Sequence, residues 1–137
     1  SPTLMFMERE DCWVGLQKAY PIHFKQTVPI DGAPRYTALM NNECDVIDAY
    51  STDGLLKKFD LQVLEDDLNF FLPYHAIPIV NNTIVDEYPE VVDLINQLQN
   101  YLNDDVMVEL NYQVDELNKK TSDFAKQFLI ENKLINE

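Results

Sequence analysis

The residues of this chain that could do chemistry are few. Arg9 stands in the run Glu8-Arg9-Glu10-Asp11, where a planar guanidinium offers a fork of donors suited to bidentate contact with a carboxylate. Taken alone among three acids, it reads as one member of a surface ion pair. Tyr50 closes an apolar stretch and Tyr74 directly follows Pro73. An aromatic ring at such a place can bind a cation through its quadrupole or simply pack; Tyr50 alone reads as packing, and Tyr74 is open between the two. The two histidines, His23 and His75, are too few for most His-based metal sites, and His23 reads as a loop residue. Gly15, Gly32 and Gly54 are scattered, so there is no nucleotide cradle, and no G-x-S-x-G elbow occurs. The acidic runs Glu65-Asp66-Asp67 and Asn103-Asp104-Asp105 lack the alternating oxygen ligands and bend glycine of a calcium loop. They read as solvated faces, with Asp104-Asp105 suited to the positive end of a following helix. Cys12 and Cys44 lie 32 positions apart without a C-x-x-C spacing. They read as two free buried thiols, with a disulfide between them left open. No catalytic residue, metal site or cofactor is expected.

The whole composition narrows the partners. With 24 acidic and 10 basic residues the chain carries a formal charge of −14, which repels nucleic-acid phosphates and anionic membrane surfaces. A hydrophobic fraction of 46% over 137 residues is enough to build a globular core. No run of 18 apolar residues is present, and Ser1-Pro2-Thr3-Leu4 has neither the basic start nor the apolar stretch of a secretion signal; such a signal is expected upstream.

The elements that must position these residues follow from periodicity. Thr3 to Met7 reads as a buried strand; Asp11 then caps a helix bearing Trp13, Leu16 and Tyr20, which Pro21 stops. Phe24 to Ile30 reads as a strand ending in the Asp31-Gly32 turn, Pro34 opens a second helix, and Asp45 to Tyr50 reads as a strand. This alternation predicts an α/β fold. After Asp53-Gly54 come a helical turn at Leu55 to Phe59 and strands at Leu61 to Leu64 and His75 to Val80. The rest is helical: Tyr88 to Leu102 with Pro89 in its first turn, a stretch bearing Val106, Leu110, Val114 and Leu117, and a last helix capped near Thr121 or Ser122. Ser51 to Gly54 is the natural seam.

Several of these stretches, in order, resemble the substrate-binding proteins of the osmoprotectant (glycine betaine, carnitine and choline) ABC importers. Phe6 to Trp13 looks like that family's F-x-x-R-x-D-G-[YW] segment, followed by Gly15-Leu16 to Tyr20. Arg35-Tyr36-Thr37-Ala38-Leu39 leads to Asp45-Val46-Ile47 and the D-A-Y-S-T-D-G element at Asp48 to Gly54. Phe59-Asp60-Leu61, Val63 to Asp67 and Phe70-Phe71-Leu72-Pro73-Tyr74-His75-Ala76 follow, and Glu109 to Asp115 with the closing helix completes the match. Three positions depart from the pattern: Cys12 where glycine is usual, Leu72 where proline is common and His75 where a second tyrosine is common.

The resemblance implies a type II periplasmic-binding-protein-like clamp of two lobes, present here as its carboxy-terminal half. Residues 1–50 would be the latter part of the second lobe, 51–54 a hinge crossing, and 55–137 the returning part of the first lobe. It implies a quaternary-ammonium ligand held for an ABC permease at the extracellular face of the cytoplasmic membrane, the protein being lipid-anchored or fused to that permease. A trimethylammonium group has no N–H to donate, so aromatic faces must hold it. The family pattern assigns that role to Tyr50 and Tyr74, the carboxylate end to Arg9, and a polar contact beside the cage to Thr52. The alternative is a scaffold or sensor domain that keeps the fold and binds nothing; an enzyme is not expected. A half-chain with unpaired strand edges is expected to dimerise.

Overall fold

The computed structural model describes residues 1–73, 75 and 77–136. The chain divides into two compact units. One comprises Ser1–Tyr50 with Gln62–Pro73; the other comprises Ser51–Leu61 and the chain beyond Pro73.

The first unit contains α1 (Leu4–Glu8), a π-type turn (Glu10–Val14), α2 (Gly15–Ala19) and α3 (Pro34–Met40). Helix α3 is its core. Tyr36 and Ala38 are buried, and so is Arg35, whose charge is matched rather than stranded. Its Nε donates to the Asp48 carbonyl at 2.9 Å and its Nη1 to the Gly32 carbonyl at 2.8 Å, with the Asp48 carboxylate 3.9 Å away. Asp48 also accepts from the Thr3 amide at 2.7 Å and the Thr3 hydroxyl at 2.9 Å. The cluster ties the start of the chain to the stretch just before Tyr50. Breaking such a buried pair by removing one partner typically costs about 3–5 kcal/mol.

That same cluster overturns the expected strand at Thr3 to Met7. The Thr3 hydroxyl accepts from the Phe6 amide at 3.2 Å, an N-cap, and Asp48 occupies the Thr3 amide that a ladder would have used. The segment therefore winds into α1. The other expected strands, at Phe24–Ile30, Asp45–Tyr50 and Leu61–Leu64, do not form either, and of the one expected at His75 to Val80 residue 76 lies outside the described residues: no strand is present among the described residues. An extended segment becomes a strand only beside a second one, about 4.8 Å away, that completes its hydrogen bonds. Here the Asp48 carbonyl is bonded to a guanidinium instead. The expected α/β alternation is thus realised in its helices alone.

The second unit holds α4 (Gly54–Lys58), α5 (Asn82–Glu87), α6 (Glu90–Asn96) with a 3-10 extension (Gln97–Asn100), α7 (Asp104–Asn111) with a π-type extension (Tyr112–Glu116), and α8 (Thr121–Glu131). Helix α4 lies tightly on α7. A Cβ placed on the buried Gly54 would sit 2.6 Å from the Tyr112 amide nitrogen, so only glycine permits this approach. Around it, Asn111 Nδ2 donates to the Thr52 carbonyl at 2.8 Å, and Lys57 and Lys58 pair with Glu109 and Glu116. Asn103 caps α7 by accepting from Val106 N at 2.9 Å, and Asp104 and Asp105 lie in its first turn as expected.

Helix ends follow a common rule. Asn42, Asp60 and Lys133 adopt positive φ (59°, 50° and 58°), and the next residue's amide returns to the preceding turn: Glu43 to Ala38 O, Leu61 to Leu56 O and Leu134 to Leu129 O. Pro34 opens α3 in its first turn, and α2 ends before Pro21. Asp11 is not the cap of α2 but lies inside the π-type turn, and α8 starts at Thr121 without a side-chain cap. No helix is long and apolar enough to cross a membrane among the described residues.

Candidate functional site

Arg9 is the C-cap of α1, between that helix and the π-type turn, with extended backbone (φ −91°, ψ 137°). Its fork closes on Asp11: Nε donates to Oδ1 at 2.8 Å and Nη2 to Oδ2. The pair is half exposed, with 48% of the Arg9 side chain open to solvent. The Arg9 hydrogen bond holds the Asp11 carboxyl below the usual aspartate range. The guanidinium therefore already engages a carboxylate in the two-point geometry that a carboxylated ligand would need. At the neighbouring Cys12 the backbone leaves helical geometry (φ −129°, ψ −117°). Burial and the Asp11 charge push its thiol up, so it is not a thiolate nucleophile at neutral pH. Both Cys12 and Cys44 are free.

Two rings brace this corner. The Phe71 ring lies 6.3 Å from that of Phe6 in α1, and Phe70 crosses Phe71 edge-on at 4.9 Å. On the other side, the Phe70 ring comes so near Gly15 that a Cβ there would meet it at 2.9 Å. The amides of both phenylalanines are held by one side chain: Asp66 accepts from Phe70 N at 3.0 Å and from Phe71 N at 2.9 Å. Asp66 also accepts the Tyr20 hydroxyl proton at 2.5 Å, and the Tyr20 oxygen accepts from Leu68 N at 2.9 Å. These bonds hold the Asp66 carboxyl below its ordinary value. Burial, and then the bond to Asp66, push the Tyr20 phenol up to about 12.

The other expected site residues stand as follows. Tyr50 belongs to the first unit and is 48% exposed. Thr52 belongs to the second unit, where its carbonyl serves Asn111. Tyr74 lies outside the described residues. Leu72 and His75 are exposed. Among the described residues, an open groove of about 570 Å³ is lined in part by Ile30, Pro34 and Thr37, and another of about 410 Å³ runs along α8; neither is lined by Arg9, Tyr50 or Thr52.

Sequence reading missed Tyr20, read only as one residue borne by a helix, and Asp66, read as part of a solvated acidic run. The available signal was an aspartate four and five positions before two aromatics, with an asparagine between them able to adopt positive φ. Asn69 does so, at 51°.

Comparison with known proteins places this geometry in context. A model of the substrate-binding domain of ABC-type glycine betaine transport systems matches residues 3–131. The chain is 40% identical over 128 residues to the carnitine transport binding protein OpuCC of Listeria monocytogenes, covering 93% of this chain and 42% of that protein. It is 39% identical over 124 residues to the ergothioneine transport permease/ergothioneine binding protein EgtU of Helicobacter pylori, covering 90% of this chain and 22% of that protein. A glycine-betaine-binding protein of Pseudomonas aeruginosa is 33% identical over 134 residues, covering 96% of this chain and 43% of its own length. The crystal structure of a glycine betaine/carnitine/choline ABC transporter matches with a TM-score of 0.87 at 33% identity, over 97% of this chain and 49% of that one. The chain thus spans less than half the length of the curated relatives it matches. With residues 3–131 inside the family model, the chain belongs to the substrate-binding domains of ABC-type glycine betaine transport systems.

Proposed function

We propose that this chain is the carboxy-terminal part of an extracytoplasmic binding protein that delivers a quaternary-ammonium compound, such as choline, glycine betaine, carnitine or ergothioneine, to an ABC permease. The observation that carries this reading is the family match over residues 3–131, which takes in both D-A-Y-S-T-D-G and F-F-x-P-Y. Tyr50 and Tyr74 supply faces of an aromatic cage for the methylated cation, Arg9 reads a ligand carboxylate, and Thr52 adds a polar contact. The seam at Ser51 to Gly54 is a hinge crossing; the unit boundary between Tyr50 and Ser51 supports it. The relatives are named as transport binding proteins, so no turnover is expected.

The chemistry is self-consistent. A ring face over a desolvated cation contributes on the order of 0.5–2 kcal/mol, so each cage tyrosine is worth roughly a factor of ten. The guanidinium fork adds two-point recognition that an ammonium could not supply. Calorimetry of the full-length protein against choline, glycine betaine, carnitine and ergothioneine tests the reading. Tyr50→Ala and Tyr74→Ala should each weaken the bound compound by about tenfold. A full-length protein that binds none of the four would be a scaffold, and the reading would fall.

A further inference from the structure

The Tyr20–Asp66 knot has no part in the reading above, yet it braces the corner that carries Arg9, a proposed ligand contact. The covalent path from Phe6 to Gly15 runs through Arg9 and the π-type turn. One end of that path meets the Phe71 ring and the other meets the Phe70 ring. Both rings hang on backbone whose amides are held by Asp66, and Asp66 is fastened in turn to Tyr20, at the end of the helix that follows the path. The circuit is closed: α1, Arg9, the π-type turn, α2, Tyr20, Asp66, and back through the phenylalanines to α1.

We propose that Tyr20 and Asp66 are positioning residues for Arg9, fixing the direction of its guanidinium and hence the recognition of the ligand's carboxylate. A carboxylate accepting three hydrogen bonds is a stiff joint. Without it, residues 66–71 are held mainly by ring packing, and the turn bearing Arg9 can swing. The inference rests on reading Arg9 as the carboxylate contact. A brace of this kind acts on the carboxylate end of the ligand and leaves the cation end alone.

The test is a double-mutant cycle on the full-length protein. Calorimetry with glycine betaine, carnitine and ergothioneine, all carboxylated, is run on wild type, Tyr20→Phe, Arg9→Ala and the double variant, alongside melting temperatures. Tyr20→Phe keeps the ring and removes only the hydroxyl. It is expected to weaken the carboxylated ligand by roughly three- to tenfold in the presence of Arg9, within the range over which residues remote from a ligand modulate its binding. With Arg9 already removed the loss should shrink to less than about twofold, since coupled residues are not additive. A Tyr20→Phe loss that persists undiminished in the Arg9→Ala background, or no loss at all, overturns the proposal and leaves the knot as plain scaffolding. An Arg9→Ala variant that binds like wild type overturns the carboxylate reading itself, a result told apart because it appears before Tyr20 is touched. If Tyr20→Phe does not fold, Asp66→Asn replaces it in the same cycle. That variant keeps one acceptor for Tyr20 and Phe70 but sets an NH2 donor against the Phe71 amide, so a loss at least as large is expected, with the same dependence on Arg9.

Discussion

At the scale of single residues, the balance that matters is between Arg9 and Asp11, because the arginine has a carboxylate partner before any ligand arrives. The Asp11 carboxyl is held below the ordinary aspartate range, chiefly by its hydrogen bond to Arg9. A depressed folded value stabilises the fold above the unfolded value; that contribution is lost as pH falls through the folded one. The pair is therefore intact at neutral pH and opens only in acid, below the ordinary aspartate range. Carboxyl-carbon NMR titration should show Asp11 inflecting below the ordinary aspartate range, and Arg9→Ala should move it back up toward that range. An unshifted midpoint in wild type would mean that the fork does not close on Asp11 in solution. Tyr20 behaves with the opposite sign: its phenol is raised to about 12, so the stability it lends is present below about 10 and lost only as pH rises through about 12. Neither group changes charge near pH 7.

At the scale of elements, the decisive contact is α4 on α7. The Gly54 position leaves no room for a methyl group against the Tyr112 nitrogen and Cα, at 2.6 and 2.8 Å, and both are backbone atoms that cannot swing aside. Gly54→Ala should therefore separate the two helices and destabilise the second unit by about 1–3 kcal/mol. Thermal unfolding would register this as a drop in melting temperature, and an unchanged value would show that α4 tolerates a shift. The same region shows what could be read from sequence. Helices announced themselves wherever a local signal was self-contained: Pro34 opening α3, Pro21 ending α2, and the acidic first turn of α7. Strands did not, because a run such as Asp45 to Tyr50 has the right residues whether or not a neighbour completes its ladder. At the candidate site, motif order singled out Arg9, Tyr50, Tyr74 and Thr52. The residues bracing Arg9 escaped notice because Tyr20 and Asp66 meet across 46 positions, a separation that no local pattern encodes.

At the scale of the whole molecule, apolar surface and charge pull in opposite directions. Leu64, Leu72, Ile77 and Ile79 are between 72% and 90% exposed, on segments that are neither helix nor strand. Such segments are templates for pairing with another chain. Burying one of these side chains typically contributes about 1.5–3 kcal/mol, so a few of them suffice to hold two copies together. Opposing this, each copy carries a charge of −14, and two copies repel over a Debye length of about 30 Å at 0.01 M salt but only about 8 Å at 0.15 M. The 137-residue chain, expressed by itself, should therefore self-associate as a dimer, and more completely as salt is raised through that range. Light scattering at the two salt concentrations checks both parts. Ile79→Lys, which puts a charge on the most exposed of these side chains, should shift the population toward monomer. A clean monomer at both salt concentrations would mean that these apolar segments are compatible with solvent and do not need a partner. A dimer that salt dissociates would instead point to ion pairs as the adhesive, since only an electrostatic contact weakens when charges are screened.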